Sequence, residues 1–344
     1  MRSAWQAAKM IWTLHSESVS NTRSPESIQL DVVGELHDID IYEPTVKYQG
    51  TIAVIHGMSP KGKSDPRIMI LCQAFCQLGF RVVAPDVASV KALIINPAQI
   101  EAIADIINVL ASNTTLTPGG RLGLLAPSFS GGMCLAAAAL PCVNDKIISI
   151  CTIGAFTEVD SVINYLLTND LADPYGRYIL LKNILPLVFQ NDVAIQKALD
   201  AAIKDNLNEV TNVELQHCLF MLTPEEQTQA NRVLHDGAYR TQLFQSSRPI
   251  LSEALKAMNI VSRLEGLTAK VFLLHGKYDN VIPCDQSEML YSHLKHLKKE
   301  ADLVVTPFIS HGDTHFSCKL VLDLMNLIKG FTFFFNDLKQ LTKC

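Results

Sequence analysis

Ser128, Asp279 and His311 follow one another in this chain, each just past an apolar run. These are the residue types that together make a hydroxyl attack a carbonyl. A serine hydroxyl alone is a poor nucleophile at neutral pH. It needs a base to take its proton, an acid to orient that base, and N–H donors for the oxyanion that forms. The serine stands in Arg121-Leu122-Gly123-Leu124-Leu125-Ala126-Pro127-Ser128-Phe129-Ser130-Gly131-Gly132, where an apolar run stops at small residues and the helix-forming Met133 to Leu140 follows. That pattern predicts a strand, a sharp turn and a helix, with the serine at the apex facing the positive helix end. Asp279 comes soon after Leu274-His275-Gly276, at the end of a second apolar strand, and His311 lies in the loop after a third, Asp302 to Val305. His56-Gly57-Met58 closes an earlier apolar strand. The backbone N–H groups of Met58 and Phe129 are the expected oxyanion donors.

Each assignment has a competitor. The serine elbow reads in two frames, Ala126-x-Ser128-x-Ser130 or Ser128-x-Ser130-x-Gly132. The end of the Arg121–Leu125 strand favours Ser128, and Gly131-Gly132 then let the helix approach the sheet. Ser130 stays the alternate, otherwise a helix-start hydroxyl bonding backbone N–H groups. His315 is the alternate base; spacing from Asp279 and nearness to the strand end favour His311. Asp279 could instead cap the following helix, with Glu158 or Asp160 as fallback acid. His56 and His275 are expected to hydrogen-bond within loops, and Asp86, after Pro85, to be a turn residue.

The elements that must position these groups alternate along the chain. Short apolar runs at Thr51–Ile55, Phe80–Ala84, Arg121–Leu125, Lys146–Ile153, Lys270–Leu274 and Asp302–Val305 read as buried strands. Helical segments such as Pro66–Leu78 and Ile100–Ser112 separate them. Ser27–Tyr42 alternates apolar and polar residues, as one or two antiparallel strands would. The fold class expected is therefore α/β, with a mostly parallel central sheet flanked by helices. From about Ala155 to Gly266 the strands stop and helices follow one another, among them Ile179–Phe189, Val193–Lys204 and Pro249–Ala257. This reads as a helical insertion serving as a lid over the carboxyl edge of the sheet, where ligands bind in such folds.

Composition narrows the partners. The 344 residues are 48% hydrophobic and 18% charged, with a net charge of -5. No basic stripe is present, which argues against nucleic acid. The nine cysteines lack metal spacing and fall in core-like segments, pointing to reduced thiols and a cytoplasmic location. Met1–Leu14 reads as an amphipathic surface helix, with peripheral membrane contact as a weaker alternative. Leu320–Phe335, broken by Asp323 and Lys329, reads as a buried helix and not a membrane span.

In this order and spacing, His56-Gly57, the elbow at Ala126–Gly132, Leu274-His275-Gly276 with Asp279 and Pro283, and His311 resemble the α/β-hydrolase superfamily, from about Ser27 to the C-terminus. Phe156–Leu187, including Asp173-Pro174-Tyr175-Gly176-Arg177-Tyr178, also resembles the lid start of a little-characterised bacterial branch. The elbow departs from the usual G-x-S-x-G in having Ala126 and Ser130 at the glycine positions. The resemblance implies an N-terminal segment 1–26, a hydrolase core over 27–155 and 267–344, and a helical lid over 156–266. It implies hydrolysis of a carboxylic ester, a small-molecule or lipid-like one given the apolar Tyr178–Phe189, through a Ser-His-Asp triad and an acyl-enzyme. No metal or organic cofactor enters such a reaction. A thioesterase or acyltransferase would share the triad, and a retired hydrolase scaffold used for binding would share the fold.

Overall fold

Eight short runs rich in Val, Ile and Leu assemble into one sheet. The computed structural model describes residues 2–15, 24–189, 193–207, 213–308 and 320–338. Its strands are β1 (Glu26–Val32), β2 (Glu35–Tyr42), β3 (Gly50–Val54), β4 (Phe80–Pro85), β5 (Leu122–Pro127), β6 (Ile147–Ile153), β7 (Lys270–Gly276) and β8 (Ala301–Thr306). Their order is β1-β2-β4-β3-β5-β6-β7-β8. β1 and β2 form an antiparallel hairpin and β2 runs antiparallel to β4. Every other pair is parallel. The parallel strands β3, β5, β6 and β7 are buried almost throughout, as strands covered by helices on both faces must be. β1 alternates because one side of the hairpin lies in solvent, whereas Ile39–Tyr42 of β2, paired with β4, are all buried.

The chain forms two compact units. The first comprises Met1–Leu93, Ala98–Thr157 and Ile260–Cys344 and contains the whole sheet. Its core is aromatic at one side, where Phe80 stacks on Phe335 with ring centroids 5.3 Å apart and Phe272 meets Phe331 edge-on at 5.3 Å. The helix Leu320–Phe335 supplies Phe331 and Phe335 from its C-terminal half, while Leu322 near its start is 67% exposed. The helix Arg2–His15 is more than a surface element: Ala7 and Met10 are fully buried in the same core. Gln6 Nε2 and Lys9 Nζ donate to the carbonyls of Leu78 and Gln77 at 3.0 and 3.1 Å, satisfying the end of the helix Pro66–Gln77. Ala7 and Met10 are thus engaged in packing, while Trp5 remains outside, 62% exposed.

The second unit, Ile94–Pro97 with Glu158–Asn259, is helical. Pro249 does not start a helix there, as its residue type suggests, but lies inside Gly237–Ala257. The helix tolerates it because both Pro249 and Gln245, whose carbonyl loses its donor, are exposed, so water replaces the missing bond. Buried Leu243, Phe244, Ser247 and Leu255 hold the two halves in line. Two buried guanidiniums close helix ends in this unit. Arg177 Nε donates to Leu166 O at 2.7 Å, and Arg240 Nη1 to Leu234 O at 2.9 Å.

Candidate active site

Ser128 lies between the last residue of β5 and the first of the helix Phe129–Ala138, at φ 57 and ψ -138. A non-glycine residue in that region is strained by about 1–3 kcal/mol, and such positions cluster at functional sites. The turn is held from outside: the Ser128 N–H donates to Ile153 O at 2.7 Å, across the end of neighbouring β6. The helix that follows comes so close that a Cβ on Gly131 would lie 2.9 Å from Ala155 Cβ, and one on Gly132 would lie 2.6 Å from Phe156 Cε1. Only glycines allow this approach. The Phe129 ring, beside the apex, stacks on Phe156 at 5.4 Å.

The two serines of the elbow differ sharply. Ser130 is fully buried, and its hydroxyl donates to His56 O at 2.6 Å. The sequence suggested a bond to helix-start N–H groups; the carbonyl wins because the loop after β3 crosses directly over this first turn. Among the described residues Ser128 makes no such bond, and it is half-buried.

That loop begins with His56, which has no solvent exposure. Its Nε2 accepts the Val87 N–H at 3.0 Å, so the proton is on Nδ1, which donates to Gly57 O at 2.8 Å. The ring is therefore neutral, although Asp86 Oδ1 lies 3.7 Å from Nε2. Burial sets this by pushing the imidazole below its ordinary value; Gly57 O and Asp86 act the other way and do not prevail. The Gly57–Met58 peptide is trans, so with its carbonyl held by His56 its N–H points to the opposite side. A Cβ on Gly57 would be 3.7 Å from Ser128 Cβ, which fixes how near this loop runs to the apex serine.

On the other flank, β7 ends beside β6 and the chain turns at Asp279. Oδ1 accepts the N–H groups of Val281 and Ile282 at 2.9 and 3.0 Å. Asp279 is not the cap of the next helix, Asp285–His296, which starts at Cys284. Its other oxygen, Oδ2, is 3.6 Å from His275 Nε2. That ring is also neutral: Nε2 donates to Ile282 O at 2.8 Å while Nδ1 accepts the Ser287 hydroxyl at 2.6 Å. Among the described residues Oδ2 is thus left without a donor. It faces β6, since a Cβ on Gly154 would be 3.1 Å away. Ser128, Gly154 and Asp279 accordingly sit at the carboxyl ends of three adjacent strands.

His311 and its alternate His315 fall outside the described residues. Glu158 and Asp160, the fallback acids, belong to the helical unit, where Asp160 pairs with Arg248 at 3.2 Å. The sequence reading missed the importance of Asp86. It is no plain turn residue, since it gathers Lys91 Nζ at 2.7 Å and the Lys63 N–H at 2.9 Å. Pro85-Asp86 was visible after a strand, but its partners come from segments on both sides.

The two neutral, buried histidines give the stability a pH dependence. In both, burial lowers the pKa below the ordinary 6.5, against the pull of Asp86 on His56 and of Asp279, Asp285 and Glu288 on His275. The unfolded chain then binds more protons than the native one below about pH 6.5. Stability is expected to be full above that value and to fall as pH drops toward the lowered folded values, by up to about 1.4 kcal/mol per pH unit per histidine. Urea unfolding between about pH 7.5 and about pH 5.5 measures it; replacing either histidine by Gln is expected to halve the slope, and an unchanged slope would show that neither ring is the source.

No protein-family profile matches the chain, and no curated protein resembles it in sequence. Solved structures do. An acylaminoacyl peptidase of Pyrococcus horikoshii superposes with a TM-score of 0.52 at 14% identity, over 92% of this chain and 42% of its own. A puromycin-hydrolyzing peptidase of Mycobacterium tuberculosis gives 0.53 at 14%, over 92% of this chain and 39% of its own. A 2,6-dihydroxy-pseudo-oxynicotine hydrolase gives 0.50 at 14%, over 93% of this chain and 70% of its own. The chain spans about two fifths of the length of the two peptidases. At these identities the likeness is one of fold. With the sheet order and the strained serine at the end of β5, it establishes that this chain has the α/β-hydrolase fold.

Proposed function

We propose that the protein is a serine hydrolase that cleaves carboxylic esters, lipid-like acyl esters among them, with Ser128 as nucleophile. The observation that carries this is the backbone of Ser128, a non-glycine residue held at positive φ between strand and helix. In the mechanism, His311 takes the Ser128 proton as Oγ attacks the ester carbonyl. Asp279 Oδ2 accepts the other imidazole N–H and stabilises the cation. The N–H groups of Met58 and Phe129 receive the oxyanion. His311 then protonates the leaving alcohol, and water resolves the acyl-enzyme.

The lipid-like end of the substrate range rests on the apolar Tyr178–Phe189 segment. Half of it is buried, and Leu187 is left 40% exposed. A lid role for the helical unit and a cytoplasmic location belong to the same proposal; Cys72, Cys76, Cys134 and Cys151 are buried free thiols, in keeping with a reducing compartment.

Labelling with a fluorophosphonate probe followed by peptide mass spectrometry tests the reading. The expected result is modification at Ser128 that disappears in His311→Ala, with turnover across esters of graded acyl length. Modification at Ser130 would move the nucleophile. An unlabelled, folded protein would remove the enzymatic reading in favour of a binding protein on this scaffold.

A further inference from the structure

We propose that Asp86 is a positioning residue that holds the exit of the loop His56–Lys63, while Val87 beside it holds the entry, and thereby fixes the oxyanion donor that this loop carries. The inference rests on the serine hydrolase reading above. The loop leaves β3 at His56 and ends in the short 3-10 turn Gly62–Ser64. Asp86 follows β4, the parallel neighbour of β3, and its carboxylate meets the exit end. At the exit, its Oδ1 accepts the Lys63 N–H at 2.9 Å. Gly62, at φ 54, comes so near that any Cβ there would overlap Oδ1. At the entry, Oδ1 lies 3.7 Å from His56 Nε2, but both atoms are acceptors and make no bond; the Val87 N–H, on the next residue, is the donor that fixes the ring. The fixed ring in turn holds Gly57 O, and so the direction of the Met58 N–H.

Asp86 is itself anchored. Its N–H donates to Asp38 O at 2.9 Å, and its carbonyl meets His37 Nδ1 at 3.2 Å, both on β2. Burial disfavours its charge, but the Lys91 ammonium and the Lys63 amide outweigh that and hold the carboxyl below the ordinary range. It stays ionised at neutral pH, so its role is that of a fixed acceptor and not a proton donor. The Lys63 side chain adds a second anchor, its ammonium buried against Asp40, which also accepts the Ser27 hydroxyl at 2.6 Å. The loop end is therefore pinned to β2 by side chain and to Asp86 by backbone.

The test uses the whole chain of residues 1–344 and a short p-nitrophenyl ester. Asp86→Ala is expected to lower kcat about 10²-fold, the usual effect of one misplaced oxyanion donor, with KM within about twofold of the parent. Asp86→Asn keeps an acceptor for the Lys63 N–H and is expected to recover most of the rate. Gly62→Ala breaks the same contact from the other side, and the double variant with Asp86→Ala is expected to fall no further than either alone. Folded parent protein that labels at neither Ser128 nor Ser130 would refute the hydrolase reading itself. A parent that labels and turns over, with a folded Asp86→Ala at undiminished kcat, or with additive losses in the double variant, would overturn the positioning role alone. Should Asp86→Ala not fold, the contrast between Gly62→Ala and Asp86→Asn decides: equal rates refute the proposal.

Discussion

Ser128→Ala is expected to reduce ester turnover by about 10⁴-fold or more while leaving the fold intact. The size follows from what the hydroxyl does: without it there is no acyl-enzyme, and what remains is binding plus oxyanion donors acting on water. Ser130 cannot substitute, although it is two residues away. It is fully buried and spends its proton on His56 O, and its place in the first helical turn denies it the exposed apex. Alanine keeps the Ser128 N–H bond to Ile153 O, so the turn has the same support. Steady-state kinetics beside a thermal melt would read this; a loss smaller than tenfold in a folded variant would mean that the nucleophile lies elsewhere.

Asp279→Asn is expected to lower kcat by about 10⁴-fold with little change in thermal midpoint. The two effects separate because the two carboxylate oxygens do different work. Oδ1 accepts two backbone N–H groups, from Val281 and Ile282, and an asparagine carbonyl oxygen can take both. That places the amide nitrogen where Oδ2 was, so in the proposed triad a donor would meet His311 where an acceptor is required. The imidazole is then held in the wrong tautomer. The measurement is kcat alongside the melting curve. A variant that keeps more than a tenth of the parent rate would assign Asp279 to turn structure alone, and a variant that unfolds would show that the Asx turn depends on charge.

Much of this was legible in the sequence, for reasons that differ by residue. The parallel strands are visible as uninterrupted apolar runs because burial on both faces leaves no polar positions, as in β5 and β7. The elbow is visible because crowding keeps Ala126 and Ser130, two positions either side of Ser128, small, and Gly131 and Gly132 show how tight that crowding is. Asp86 was read too simply because its meaning lies in partners 23 residues before it and five after it, joined only by the sheet. The burial of Arg2–His15 was hidden for a related reason: an amphipathic helix looks the same whether its apolar side meets solvent boundaries or a ring cluster. Pro249 misled because proline announces a helix start locally, whereas packing of Leu243, Phe244 and Leu255 decides over a longer span.

The backbone at position 128 also sets a trade between robustness and chemistry. At φ 57 a glycine would sit without steric penalty, whereas serine and alanine both bear one. Ser128→Gly is therefore expected to be more resistant to denaturant than Ser128→Ala by about 1 kcal/mol, although both lack the hydroxyl. Equal midpoints in urea for the two variants would show that the turn imposes no such load. A lineage of this fold released from hydrolysis would gain by drifting to glycine at its apex, so the residue found there serves as a gauge of whether the chemistry is still in use.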